Sequence, residues 1–343
     1  MATERTCNEP TAPEFRQEID VVARTRRRLI QGLGVSACAW AWAWPASAND
    51  YPSKPIELIV PASAGGGTDA LSRLFAEVAK NRLPQPFVVN NKPGASGAIG
   101  MSEVVSSRAD GYKLCMIIAE VTTLPSLGLA KFDHTRFEPI ARLNADPAAI
   151  TVRADAPWNT LEEFLDAAKK QAGTTKLGNA GSGSVYHLSA IGLEDKVGVK
   201  FNHIPYSGAA PAVVALLGGH IDALDVSPAE VAPHVKGGKL KILGIMATER
   251  LAAFASVPTF KERHIDLALG TWRGLAAPKG APGAVIDVLR TAARRVSEDP
   301  AFRNGLDKSN LGFAYLDAPE FAQAMQRDHE YFGQLIRKNG IKI

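Results

Sequence analysis

Three cysteines in 343 residues are too few for a disulfide framework, and their positions reduce them further. Cys7 and Cys38 lie in an N-terminal segment read below as removed, which leaves Cys115 alone and the mature chain without an intramolecular disulfide. Cys115 sits in the apolar run "YKLCMIIA", where a lone thiol reads as a small buried hydrophobe rather than a nucleophile. Charge excess is equally scant: 39 basic against 35 acidic residues, spread along the chain, leave no electrostatic footprint for nucleic acid. The seven histidines never fall in H-x-H, H-E-x-x-H or a cysteine-rich setting, so no metal site and no cofactor is expected. No internal repeat or low-complexity stretch breaks the mature chain.

What is present begins with an export pattern. Arg24, Arg26, Arg27 and Arg28 precede the 16-residue apolar run "LIQGLGVSACAWAWAW", which ends at Pro45 and the small triplet Ala46-Ser47-Ala48. A basic region, a short apolar region and A-x-A make a cleaved secretory signal over residues 1–48, too short for a stable membrane span, so the mature protein is expected to be exported. "TRRRLIQ" leaves a twin-arginine route open beside the general one, and "VSAC" leaves open a lipid anchor through Cys38. The polar residues ahead of the arginines leave a start near Val21 or Val22 open as well.

From residue 56 short apolar runs alternate with amphipathic ones: "IELIVP", "FVVNN", "KLCMIIA", "AAITV", "TKLGNA", "FNHIPY", "IDALDV" and "LKILGIM" read as strands with helices between most of them. That alternation predicts an α/β fold of mostly parallel sheets covered by helices. Leu71, Leu74, Phe75, Val78 and Ala79 recur at helical spacing behind the loop "GGGTD", with Thr68 or Asp69 placed to cap. Thr160 and Glu163 form a capping box with Gly173 as a stop, and Pro211 sits in the first turn of a helix closing on Gly218 and Gly219. Linker-like composition at 144–157 and 267–283 predicts three mature segments, 49–148, 149–270 and 271–343, of which the first and third join in one lobe.

The triple glycine of "IELIVPASAGGGTDALSR" invites a nucleotide reading, which fails. No Lys-Ser or Lys-Thr follows Gly67, Ala70 stands where a dinucleotide fingerprint needs its third glycine, and Asp69 would repel a phosphate. "GASGA" misses the nucleophile elbow by its last residue, and Ser182, Ser184 and His187 lack the flanking strand it requires, so a secreted Ser/His hydrolase is the minor alternative. What accumulates is loop chemistry for a small polar ligand. Four glycine-rich loops, at 65–69, 94–100, 178–184 and 206–210, follow apolar runs and precede helices, so their N–H groups converge at strand carboxyl ends.

"VPASAGGGTDALSR", "NNKPGASGAIG", "DGYKL", "GNAGSGSVYHLSA", "PYSGAAPAVVALLGGHIDA", "GKLKILGIMATER", "VPTFKE" and "WRGLAAPKGAPGAVI" together resemble the tripartite tricarboxylate transporter substrate-receptor family, the Bug or TctC-like periplasmic solute-binding proteins. The resemblance spans residues 51–343 in the family's order. It implies a two-lobed Venus-flytrap protein of type II-like architecture, a monomer and not an enzyme. It would bind a small organic acid, aromatic or dicarboxylate among the candidates, for an integral-membrane permease, or for a signalling sensor as the alternative. By the same resemblance, a ligand carboxylate would be held by backbone amides and waters of two opposed loops. Ala64, Gly65, Gly66, Thr68 and Asp69 match one loop, and Tyr206, Ser207, Gly208 and Ala209 the other. The far end would be read near Glu120–Thr123 (Val121, Thr122) and Gly181–His187 (Gly181, Ser182, Ser184, His187), with Asp225 and Trp272 bordering the cleft. Ser207 stands where the family usually has lysine, and Ala209 and Ser96 where glycine is common.

Overall fold

The structure is a computed structural model that describes residues 51–341; the signal segment, its cleavage point, Cys7 and Cys38 lie outside the described residues. The chain opens on β1 (Ile56–Val60), whose β-branched residues are all buried, and passes through the glycine loop into α1 (Gly67–Ala79). β2 (Phe87–Asn91), α2 (Ala98–Val105) and β3 (Lys113–Ile118) follow, and then an eleven-residue strand, β4 (Phe137–Pro147). One residue later β5 (Ala149–Arg153) begins a second sheet. That sheet continues through α3 (Leu161–Lys170), β6 (Lys176–Asn179), α4 (Val185–Val197), β7 (Asn202–Pro205), α5 (Ala209–Leu217), β8 (Ala223–Val226), α6 (Pro228–Lys236) and β9 (Leu240–Ile245). The chain then returns to the first sheet as β10 (Gly270–Pro278), followed by α7 (Gly283–Glu298), α8 (Pro300–Lys308), β11 (Phe313–Asp317) and the long α9 (Ala318–Lys338).

The first sheet runs β11-β4-β10-β3-β1-β2 and the second β7-β6-β8-β5-β9. Both are mixed, and this corrects the expectation of mostly parallel sheets. β1 with β2 and β3, and β6 with β7 and β8, pair in parallel through helical crossovers. The strands that carry the chain between sheets, β4, β5 and β10, pair antiparallel with their neighbours because each arrives from the opposite end. The passages read as linker-like are β4, β5 and β10 themselves. Their Pro, Asn and Gly content suggested loops, but Asn144, Asp146 and Arg273 are polar for a reason that lies in the cleft.

Local signals fix the helices. Leu71, Phe75, Val78 and Ala79 of α1 are buried against the sheet as their spacing requires. Thr160 caps α3, accepting from the Glu163 N–H at 3.2 Å, while the Glu163 carboxylate accepts from Asn159 N–H rather than Thr160. Apolar side chains cover both faces of the first sheet, with Leu58, Phe75 and Phe302 on one side and Met101, Ile117 and Phe321 on the other. Full burial of each contributes roughly 1.5–3 kcal/mol. The second group also takes in Val185 and Leu188 of α4, so the start of that helix rests on the first sheet. Cys115 is fully buried there, its thiol pushed up by desolvation.

The two passages between sheets lie side by side. Gly270 pairs with Pro147, the Ala148 N–H donates to Leu269 O at 2.8 Å, and the Met246 N–H donates to Ala148 O at 2.8 Å. A Cβ on Gly270 would stand 2.2 Å from Asp146 O, so only glycine permits this approach.

Candidate functional site

The carboxyl end of β1 and the loop after β7 face each other across a cleft of about 340 Å³, within the range of small-molecule sites. On one side α1 begins at Gly66; on the other α5 begins at Gly208, whose φ of +150° is open to glycine and strained for any side chain. The two starts are in close contact. A Cβ on Gly66 would come within 4.0 Å of Ala210 N, and Ser63 Oγ donates to Ser207 O at 2.8 Å. First-turn N–H groups have no intrahelical acceptor, so two sets of donors from two different sheets point into one space.

Asp69 does not cap by the expected route. The cap is Gly66, which has no side chain to offer, and the Asp69 carboxylate turns back to accept from the Gly65 N–H at 2.9 Å while pairing with Arg73. Although burial pushes its carboxyl up, those partners hold it below the usual range. Ala209 in the second loop needs no unusual backbone, because Gly208 takes the strained position. Ser96 does adopt left-handed geometry (φ 51°), and its hydroxyl donates across the cleft to Ser182 O.

Beneath the two helix starts lies a group that sequence reasoning missed. Arg273, in the middle of β10, is 2% exposed, and every nitrogen of its guanidinium is occupied. Nη1 donates to Asn144 Oδ1 and Asp146 Oδ2, each at 2.6 Å; Nε donates to Thr68 Oγ1 at 2.9 Å; Nη2 donates to Glu230 Oε1 at 3.2 Å. Glu230 comes from α6 in the second sheet's half, and its other oxygen accepts from the Gly67 N–H at 2.8 Å. A carboxylate of the protein itself therefore bridges the first amide of α1 and the buried arginine. Gly67 makes this possible, since a Cβ there would fall 2.8 Å from Glu230 Oε1. Burial pushes Glu230 upward with Arg273 pulling the other way; burial alone would lower Arg273, but Tyr186, Asp146 and Glu230 carry it above its ordinary value. The signal was in the sequence: a lone arginine amid "TWRGLAAP", a strand otherwise small and apolar, requires partners.

Of the residues expected at the site, Gly66, Thr68, Gly181, Ser182, Tyr206, Ser207, Gly208 and Ala209 line the cleft. Ala64 and Gly65 are exposed beside it, and Asp69 faces Arg73. Val121 is packed in the core, and the buried Thr122 hydroxyl donates to Ala119 O. Ser184 caps α4 through the His187 N–H, while His187 Nδ1 accepts from the Gly183 N–H and its ring stands edge-on to His203. Burial, with His203 beside it, holds His187 down at about 4. Asp225 lies fully buried and accepts from Ser189 Oγ at 2.7 Å. The Trp272 indole donates to Asp328 at 2.6 Å and packs on Phe321. Neither Asp225 nor Trp272 reaches the cleft wall: Trp272 points to the face opposite its neighbours Thr271 and Arg273, and Asp225 is turned to Ser189 on a strand that contributes nothing to the wall. Ser182 and Ser184 have no imidazole on their hydroxyls, so the hydrolase alternative lacks its base. Besides Arg273 and Glu230, the wall includes Ser63, Ser96, Glu120 and Tyr186.

The family model described as tripartite tricarboxylate transporter family receptor, TctC, matches residues 71–341. Among solved structures, a TctC solute-binding protein from Polaromonas is 54% identical, with 84% of this chain and 99% of that one covered at a TM-score of 0.65. The periplasmic binding protein BugD is 31% identical, covering 85% of this chain and 100% of that one at a TM-score of 0.81. MatC from Rhodopseudomonas palustris, solved with bound malate, is 26% identical, covering 83% of this chain and 100% of that one at a TM-score of 0.77. A cleft between two mixed α/β sheets suits a receptor, and the matched family is one of substrate-binding receptors, not of enzymes. The chain belongs to the tripartite tricarboxylate transporter receptor family.

Proposed function

We propose that the chain is an exported receptor that binds one small carboxylate ligand in the cleft, closes on it, and delivers it to integral-membrane permease subunits. The single observation that carries this reading is the meeting of two helix starts, at Gly66 and Gly208, from different sheets on one space. Amide donors and helix dipoles suit a carboxylate without a free cationic side chain. Gly66, Thr68, Ser207, Gly208 and Ala209 would hold the carboxylate, and Gly181, Ser182 and Tyr206 would border the rest of the ligand. The lobes would comprise 49–148 with 271–343, and 149–270, hinging where Ala148 and Leu269 lie side by side. The malate bound by MatC supports the ligand class.

Thermal unfolding of the purified protein against mono-, di- and aromatic carboxylates tests this. A true ligand at 100 times its Kd should add about 2.7 kcal/mol of stability. No shift with any of them would refute the carboxylate reading. Export is checked separately: protein recovered from the periplasm should begin at Asn49. Sedimentation should show a monomer, and the permease assignment fails if ligand uptake in cells is unchanged when the membrane subunits are deleted.

A further inference from the structure

The charged groups turned toward the cleft are unequal in sign. Arg273 is the one cation of its wall among the described residues, and Asp146, Glu230, Asn144 and Thr68 already occupy its donors. Two carboxylates, Glu120 and Glu230, stand on the same wall. Glu230 is fully engaged by Gly67 and Arg273. Glu120 is not. It is 5% exposed, its Oε1 accepts from the Val185 N–H at 3.2 Å, and its Oε2 has no partner. The Tyr186 hydroxyl, 3% exposed on the same wall, also lacks a partner.

A buried carboxylate oxygen without a donor is costly, and one that faces a binding cavity is satisfied most directly by the ligand. We propose, resting on the carboxylate-receptor reading above, that the ligand carries a single carboxylate together with a hydroxyl or ammonium group that donates to Glu120 Oε2, and that diacids are disfavoured. The first carboxylate has the helix starts to meet it. A second would have to be desolvated against the buried Glu120 carboxyl, which burial already pushes above its ordinary value, with no uncommitted cation nearby to offset the cost. Tyr186 can accept from or donate to the same ligand group, which makes a hydroxyl or ammonium easier to place than an apolar end.

Matched compounds of one chain length decide the point: adipate, 6-hydroxyhexanoate and 6-aminohexanoate, with the corresponding C4 and C5 series, titrated calorimetrically into the purified protein. The hydroxy or amino member of a series should bind at least about tenfold tighter than its diacid. Glu120→Gln, which offers an amide N–H in place of the orphan oxygen, should weaken the hydroxy or amino member and strengthen the diacid, so the ratio falls. Diacids that bind wild-type protein as tightly as their hydroxy and amino partners would overturn the inference while leaving the carboxylate reading intact. Binding of none of these acids would overturn both.

Discussion

Replacing Arg273 by methionine should destabilise the protein by about 3–5 kcal/mol, the cost of breaking a buried ion pair by removing one partner. The structure shows why the cost falls at the upper end of single substitutions. Methionine fills the volume of the arginine stem but leaves Asp146 with only the Gly312 N–H at 2.7 Å and Glu230 with only the Gly67 N–H at 2.8 Å. Asn144 and Thr68 lose their charged donor as well. Both carboxylates then sit buried with no countercharge, and β4, β10, α1 and α6 lose their common tie. Urea unfolding followed by far-UV circular dichroism gives the free energy from the midpoint and slope. Arg273→Lys should recover only part of the loss, because one ammonium cannot reach four acceptors set around a planar fork. Adding Asp146→Asn to the methionine variant should cost less than it does in wild type, with a coupling of about 0.5–3 kcal/mol. A methionine variant within about 1 kcal/mol of wild type would show that the network adds specificity without stability.

Three further outcomes follow from particular residues. His187, held at about 4 against an unfolded value near 6.5, binds its proton more readily when unfolded, so stability is full above pH 6.5 and declines toward pH 4. Compared with His187→Gln, wild type should lose on the order of 2–3 kcal/mol across that window, and parallel pH profiles would refute the assignment. Cys115 should resist a water-soluble thiol reagent at pH 8 and react only upon unfolding in urea, because it is fully buried and burial raises its thiol; prompt labelling of folded protein would contradict its placement. Gly208→Ala puts a methyl 3.0 Å from Ser63 Oγ at a φ of +150°, so it should lower stability by roughly 1–3 kcal/mol and weaken carboxylate binding, whereas an unchanged calorimetric Kd would remove that loop from the site.

How much of this was legible depended on the range of the signal. Strand runs such as "IELIV" and the helix after "GGGTD" are local, carried by periodicity within a dozen residues, and they fold where that periodicity places them. β4, β10 and β11 were not read from the periodicity, and the reason is physical. β4 has Asn144 and Asp146 buried where a strand is expected to be apolar, and only its pairing with β10, which sets Arg273 opposite Asn144, makes those residues affordable. Register between strands more than a hundred residues apart is not written in either strand alone.

The same reasoning explains why the cleft was half seen. Its upper rim is backbone, and glycine loops announce bare backbone wherever they stand. Beneath that rim Thr68, Glu230 and Arg273 line the cleft, with Asn144 and Asp146 behind Arg273, and these residues meet only once both sheets exist. Searching the glycine loop for the lysine or arginine that an anion site usually has could not succeed, because the cation enters from another strand. Nor is that cation free for a ligand, being neutralised by two carboxylates before any ligand arrives. Under the carboxylate reading the glycine loop therefore keeps an electrostatic role that a nearby unpaired arginine would have made redundant: the amides of its helix start that Asp69 and Glu230 do not already occupy, with those at Gly208, would be the positive ends offered to a ligand, and Glu230 shows at Gly67 that a carboxylate fits such an amide.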